Sequence, residues 1–146
     1  MTKRGVEILL VEDDLPDIRL TLRALQGGKL HKNVSVARDG VEALAFLRRQ
    51  DGYSEAPRPD LILLDLGLPK KSGLEVLAEI KKDPALKSIP VVVLTTSDAQ
   101  KDIIETYDLH ANAYIRKSVD VDEFVSTIKT IEDFWLSLAM LPARDF

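Results

Sequence analysis

"DLILLDLGLPKKSG", residues 60–73, places a carboxylate, Asp65, directly after a run that is apolar at every position, Leu61-Ile62-Leu63-Leu64. Such a run does not suit a strand with one wet face. A short continuous apolar stretch bounded by turn residues suits a strand covered on both sides, as in a parallel sheet. Asp65 then emerges where the strand ends, and Leu68-Pro69 and Ser72-Gly73 mark a turn before a helix. Alone, an acid in that place only hydrates or caps a turn, so the rest of the chain decides its meaning.

Strand-like apolar runs alternate with helix-period segments five times. The strands are expected at Val6 to Val11, Val34 to Ala37, Leu61 to Leu64, Ile89 to Leu94 and Ala113 to Ile115. The first helix carries Ile18, Leu22 and Leu25 toward the core, with Pro16 near its start and Gly27-Gly28 beyond its end. The second carries Val41, Leu44 and Leu47; the third Leu74, Leu77 and Ile80, stopped by Asp83-Pro84; the fourth Ile103, Ile104 and Tyr107. The last is expected from Val121 to about Ala139, with Phe124, Ile128, Ile131, Trp135 and Leu138 on one side. This alternation implies an α/β fold of right-handed βαβ crossovers, doubly wound, with helices on both faces of a five-stranded parallel sheet. The longest loop-like stretch is Gln50 to Pro59.

The 146 residues suit one domain with a substantial core. No cysteine is present, which removes disulfides, thiolate metal sites and a cysteine nucleophile. The N-terminus lacks the apolar region of a signal peptide, and nothing approaches the roughly 18 apolar residues of a membrane span. A cytoplasmic protein without membrane contact is expected. With a net charge of −4, the basic pairs Lys70-Lys71 and Lys81-Lys82 read as solvated positions, so no nucleic-acid partner is expected.

The polar residues fall at the strand ends. Glu12-Asp13-Asp14 follow the first strand, Asp65 the third, Thr95-Thr96-Ser97 the fourth and Lys117 the fifth. A parallel sheet gathers all carboxyl ends on one rim, where ligands bind. Carboxylates packed there repel unless a cation compensates. With no His or Cys among them the donors are hard oxygens, which favour Mg²⁺ over zinc. A Mg²⁺ site with room for phosphate oxygens is a phosphoryl-transfer site. Thr95 and Lys117 are placed to stabilise the transferring group, and Asp65 is the natural nucleophile, giving an aspartyl phosphate. Asp14 has a simpler role available as a helix cap.

The segments "ILLVEDD", "LILLDLGLPKKSG", "IPVVVLTTSD" and "ANAYIRKS" resemble, in order, the motifs of the receiver domains of two-component response regulators. The resemblance implies the flavodoxin-like receiver fold, with strand order 2-1-3-4-5 and five helices. It makes Asp65 the phosphoacceptor, loaded by a sensor histidine kinase. Glu12, Asp13, Asp65 and the Gly67 carbonyl become the metal ligands for Mg²⁺, with Mn²⁺ as its substitute. Thr95 and Lys117 contact the phosphoryl group, and Tyr114 takes the place of the aromatic switch residue that follows Thr95. "PRPDLILLDLGLPKKSGLEVLAEIK" and the tail "IEDFWLSLAMLP" are similar to the small stand-alone regulators that partner bacterial phytochromes, many of which are homodimers. Ser118 stands where that family often has a proline, and positions 67 and 97 hold small residues, Gly and Ser, which leave access to the site open.

One domain, residues 5–140, is therefore expected, including an extended C-terminal helix and no output domain. Output falls to protein–protein contact. The last helix, about 19 residues and roughly 28 Å long, ends in Phe134, Trp135, Leu136, Leu138, Met140 and Leu141. That is more apolar surface than one stripe needs, and a homodimer interface is favoured there over closure of the core. A phosphorylation-independent interaction module is the competing reading, which loss of a required residue would signal. An aspartyl hydrolase would carry a second carboxylate two residues after the nucleophile, where this chain has Gly67. A flavodoxin-like cofactor site would not place Glu12-Asp13-Asp14 against a phosphate. Enzymatic action on an external substrate is not expected, only self-phosphorylation and self-dephosphorylation.

Overall fold

The computed structural model of the chain describes residues 5–26, 31–97 and 99–138. Five strands, β1 (Val6–Val11), β2 (Lys32–Ala37), β3 (Leu61–Leu64), β4 (Val91–Thr95) and β5 (Ala113–Arg116), form one sheet. All pairings are parallel and the order is β2-β1-β3-β4-β5. Helices α1 (Leu15–Leu25), α2 (Gly40–Arg48), α3 (Gly73–Lys82), α4 (Gln100–Asp108) and α5 (Val121–Glu132) alternate with the strands. The expected doubly wound fold is the observed one.

The continuous apolar strands are explained by two cores. Because side chains alternate across a strand, Leu9, Val11, Ile62, Leu64, Val91 and Val93 enter a core with α2 and α3. Ile8, Leu10, Leu61, Leu63, Val92 and Leu94 enter a second core with α1 and α5. Each of these side chains is buried, a stabilisation of about 1.5–3 kcal/mol apiece against the exposed state. β4 begins at Val91, later than the Ile89 expected, because Pro90 carries no N–H for a ladder. Ile89 is nonetheless buried.

Three helical expectations are corrected. Val41 lies on the exposed side of α2, so the core face of that helix runs through Ala43, Leu44, Phe46 and Leu47. On α4, Ile104 and Tyr107 are about half exposed and Thr106 alone is fully buried. The core contact on this side is made by Leu109 and Tyr114 instead. The last helix is not one α-helix to Ala139. α5 ends at Glu132 and continues as a π-helical turn, Asp133–Leu138. The wider turn changes the register, so Trp135 and Leu136 pack on the α1–α5 core while Phe134 is 52% exposed. Gly27, Gly28, Ala139, Met140 and Leu141 lie outside the described residues.

Lys81 also departs from its expected solvated position. It is half-buried and donates to the carbonyls of Lys87 and Ile89, each at 3.0 Å, tying α3 to the start of β4. Burial lowers its pKa below the ordinary lysine value.

Candidate functional site

Strand register assembles the rim. Val11 pairs with Leu64 and Leu64 with Val93, so Glu12 and Asp65 leave adjacent strands at neighbouring heights. The Asp65 N–H donates to the Val11 carbonyl at 3.0 Å. On the far side Thr95 pairs with Arg116, and the Lys117 N–H donates to the Thr95 carbonyl at 2.6 Å. The loops that follow are fixed by their own chemistry. Asp14 is the N-cap of α1, accepting from the Asp17 N–H at 3.0 Å, with Pro16 in the first turn. Its cap role is therefore the one realised. At α3 a capping box joins Ser72 and Glu75: the Glu75 N–H donates to Ser72 Oγ and the Ser72 N–H to Glu75 Oε1.

Gly73 closes the loop after Asp65. Its N–H donates to the Leu66 carbonyl at 2.9 Å, and a Cβ there would lie 2.2 Å from the Asp65 carbonyl oxygen and 2.6 Å from Leu66 Cα. Only glycine allows α3 to begin that close to the strand it follows. Gly67, by contrast, is exposed, and a Cβ there would meet nothing nearer than Asp65 Oδ2 at 4.0 Å.

The charged centre is almost sealed. The Lys117 and Glu12 side chains are 5% and 4% exposed and form an ion pair through Glu12 Oε1. Lys117 Nζ also bonds Asp17 Oδ2 at 2.9 Å and stands 3.7 Å from Asp65 Oδ1. The other Glu12 oxygen accepts from the N–H groups of Asp13 and Asp14 at 3.1 and 3.2 Å. Burial pushes the Glu12 carboxyl up to about 7, with the Asp65 charge adding to the rise and the Lys117 bond opposing it. Burial also works against charge on Lys117, but its bonds to Glu12 and Asp17 and the nearby Asp65 outweigh that and hold its pKa above the ordinary value.

Glu12, Asp13 and Asp65 offer oxygens that all lie within 4.8 Å of one another. Three carboxylates set against one ammonium leave an anionic, oxygen-only pocket, the donor set of a hard divalent cation. The arrangement thus combines a cation-binding cluster, a carboxylate nucleophile and a fixed positive charge.

Thr95 is buried at the end of β4. Tyr114 is half-buried, and its hydroxyl donates to the Ser97 carbonyl at 2.7 Å, joining β5 to the loop after β4. Its own N–H, on the sheet edge, donates to the Tyr107 hydroxyl at 3.1 Å. Asp65, Glu12, Asp13, Thr95 and Lys117 therefore meet at one rim, with Tyr114 behind it. Phe134, Trp135 and Leu138 belong to the π-helical turn at the far end of α5.

Two residues of the site were not expected. Asp17 is legible in the sequence only as an acid in the first turn of a helix, a position the helix dipole already favours. Gly73 reads as turn punctuation, and its close approach to Asp65 has no sequence signal of its own.

Comparison with known proteins decides the family. The response regulator receiver domain model matches residues 8–129. The chain is a response regulator receiver. Response regulator Rcp1 of Synechocystis sp. is 51% identical over 136 residues, 93% of this receiver and 92% of Rcp1. The crystal structure of the phosphorylated cyanobacterial phytochrome response regulator RcpA superposes with a TM-score of 0.94 at 54% identity, covering 96% of this chain and all of RcpA. The Mn²⁺-bound form of Rcp1 superposes with a TM-score of 0.92 at 50% identity, over 95% of this receiver and all of that chain. Among the described residues, no helix of the receiver is long and apolar enough to cross a membrane.

Proposed function

We propose that this receiver accepts a phosphoryl group from a sensor histidine kinase onto Asp65 in a Mg²⁺-dependent reaction and signals through protein–protein contacts. The observation that carries the reading is Lys117 Nζ, buried and 3.7 Å from Asp65 Oδ1, at the edge of the Glu12–Asp13–Asp65 cluster. Glu12, Asp13, Asp65 and the Gly67 carbonyl would hold the cation, which when bound would neutralise the carboxylates and the phosphoryl oxygens. An oxygen of Asp65 forms a bond to phosphorus as the P–N bond to the donor imidazole breaks. The imidazole leaves with that electron pair and is protonated from solvent. Thr95 and Lys117 stabilise the charge on the equatorial oxygens. Hydrolysis reverses the state: water attacks phosphorus, the bond to Asp65 breaks, and phosphate departs from a regenerated carboxylate. The chain is thus a phosphoacceptor whose chemistry is confined to its own modification.

Movement of Thr95 toward the phosphoryl group carries the loop after β4, and Tyr114 follows because its hydroxyl is bonded to Ser97 in that loop. The change is a local electrostatic event that biases a two-state element. The likeness to RcpA, a cyanobacterial phytochrome response regulator, supports a phytochrome as the kinase. Phe134, exposed beside Trp135 with ring centroids 5.2 Å apart, supports a homodimer contact at the end of α5. The test is transfer from a histidine kinase carrying labelled phosphohistidine. Label should leave the kinase and appear on this chain but not on an Asp65→Asn variant. Retention of label by the kinase at every Mg²⁺ concentration, from phytochrome and other kinases alike, contradicts the reading.

A further inference from the structure

Asp17 has no place in the chemistry so far, yet it holds the ammonium more closely than Asp65 does. An ammonium has three N–H donors. One goes to Glu12 Oε1 and a second to Asp17 Oδ2 at 2.9 Å. Asp65 Oδ1 at 3.7 Å lies beyond hydrogen-bond distance, so Lys117 feels its charge without bonding it. Two of the three N–H groups are thus already engaged, and a phosphoryl group on Asp65 meets Glu12 and Asp17 as rivals for the ammonium. The two anchors differ in how readily they release it. Glu12 is sealed at 4% exposure, whereas the Asp17 side chain is 26% exposed and lines a cavity of about 240 Å³ shared with Lys117, Ser118 and Val121. Water in that cavity can replace Lys117 as the partner of Asp17 but has no such access to Glu12.

We propose that Asp17 is a positioning residue that holds Lys117 in its resting place and competes with the phosphoryl group for it. The inference rests on the phosphoacceptor reading of Asp65. Formation and hydrolysis of the aspartyl phosphate both pass through an in-line transition state in which Lys117 stabilises the phosphoryl oxygens. A competitor for Lys117 raises both barriers, so removing it speeds both reactions.

The test is Asp17→Asn in the full chain. The change keeps the shape of the side chain, the backbone N–H that the Asp14 cap receives and the carbonyl that accepts from Thr21. Phosphorylation by acetyl phosphate at saturating Mg²⁺ and hydrolysis after donor removal are timed by intact mass, with the melting temperature measured alongside. Both rate constants should rise about three- to fivefold, the size of a partly exposed ion pair, with melting lowered by no more than about 2–5 °C. Asp14→Asn removes the same charge nearby, keeps a good cap, and should leave both rates near the wild type. Equal or slower rates in Asp17→Asn overturn the inference, as does an equal gain in Asp14→Asn, which would make the effect one of charge alone. A wild-type chain that takes up no phosphoryl group refutes the parent reading and this one together. A wild type that is phosphorylated and matched by Asp17→Asn refutes only the role of Asp17.

Discussion

Replacing Lys117 with methionine removes the ammonium from the cluster while keeping an unbranched side chain, and its effect on stability should depend on pH in a defined way. In the intact chain Glu12 sits at about 7, against an ordinary value of 4.5. A raised carboxyl binds its proton more tightly when folded. Its contribution to stability is therefore full below the unfolded value, declines as pH rises toward 7, and is lost above that, where the profile flattens for this group. In the variant the Lys117 bond and charge that lower the Glu12 pKa are gone, while burial and Asp65 remain. The folded pKa moves above 7 and the decline continues. One proton corresponds to about 1.4 kcal/mol per pH unit, so the gap between variant and wild type should widen above pH 7, by at most about 1.4 kcal/mol per unit, until Glu12 of the variant itself titrates. Below about pH 6 the gap should be level and at its smallest, because Glu12 is protonated in both folded proteins and has no charge to leave unpaired. Urea unfolding followed by far-UV circular dichroism, with EDTA present to exclude metal, measures this directly. Parallel stability profiles for the two proteins would refute the account of Glu12 and Lys117 as a sealed, mutually dependent pair.

Gly73→Ala should destabilise the fold by about 1–3 kcal/mol in urea although alanine is the better helix former, because its Cβ would overlap the Asp65 carbonyl; a neutral or stabilising effect contradicts the close approach. Thr106→Val should raise stability by about 1 kcal/mol in the same assay. Among the described residues the Thr106 hydroxyl has no hydrogen-bond partner, whereas those of Thr21, Thr127 and Thr130 bond the carbonyl four residues back; a loss of stability on removing it would contradict that reading. If the end of α5 forms a homodimer, Phe134→Asp should shift the chain toward monomer in sedimentation velocity without lowering its melting temperature. An unchanged distribution excludes that contact.

How far the sequence carried the argument differs from element to element. Strands buried on both faces leave unbroken apolar runs, so Leu61–Leu64 and the acid after it located the centre of the sheet and the site together. The strand-end rule then brought Glu12, Asp13, Thr95 and Lys117 to one rim, because register in a parallel sheet follows from strand ends. Helical periodicity served less well on α4, where Ile104 and Tyr107 mimic a core stripe but face outward. A half-exposed apolar pair and a buried one have the same spacing, and only packing separates them. The π-helical turn after Glu132 was likewise hidden, since an added residue per turn leaves no compositional mark in "DFWLSL". Asp17 reaches Lys117 across a hundred residues of sequence, a contact that depends on how α1 packs against α5 and on nothing local to either residue.

The most direct test of the central claim is the intact mass of the chain after incubation with acetyl phosphate, with Mg²⁺ or with EDTA, beside an Asp65→Asn variant. The account predicts a gain of one phosphoryl group in the wild type with Mg²⁺, and none with EDTA or in the variant. A gain that persists in Asp65→Asn, or no gain in the wild type under any condition, would contradict it.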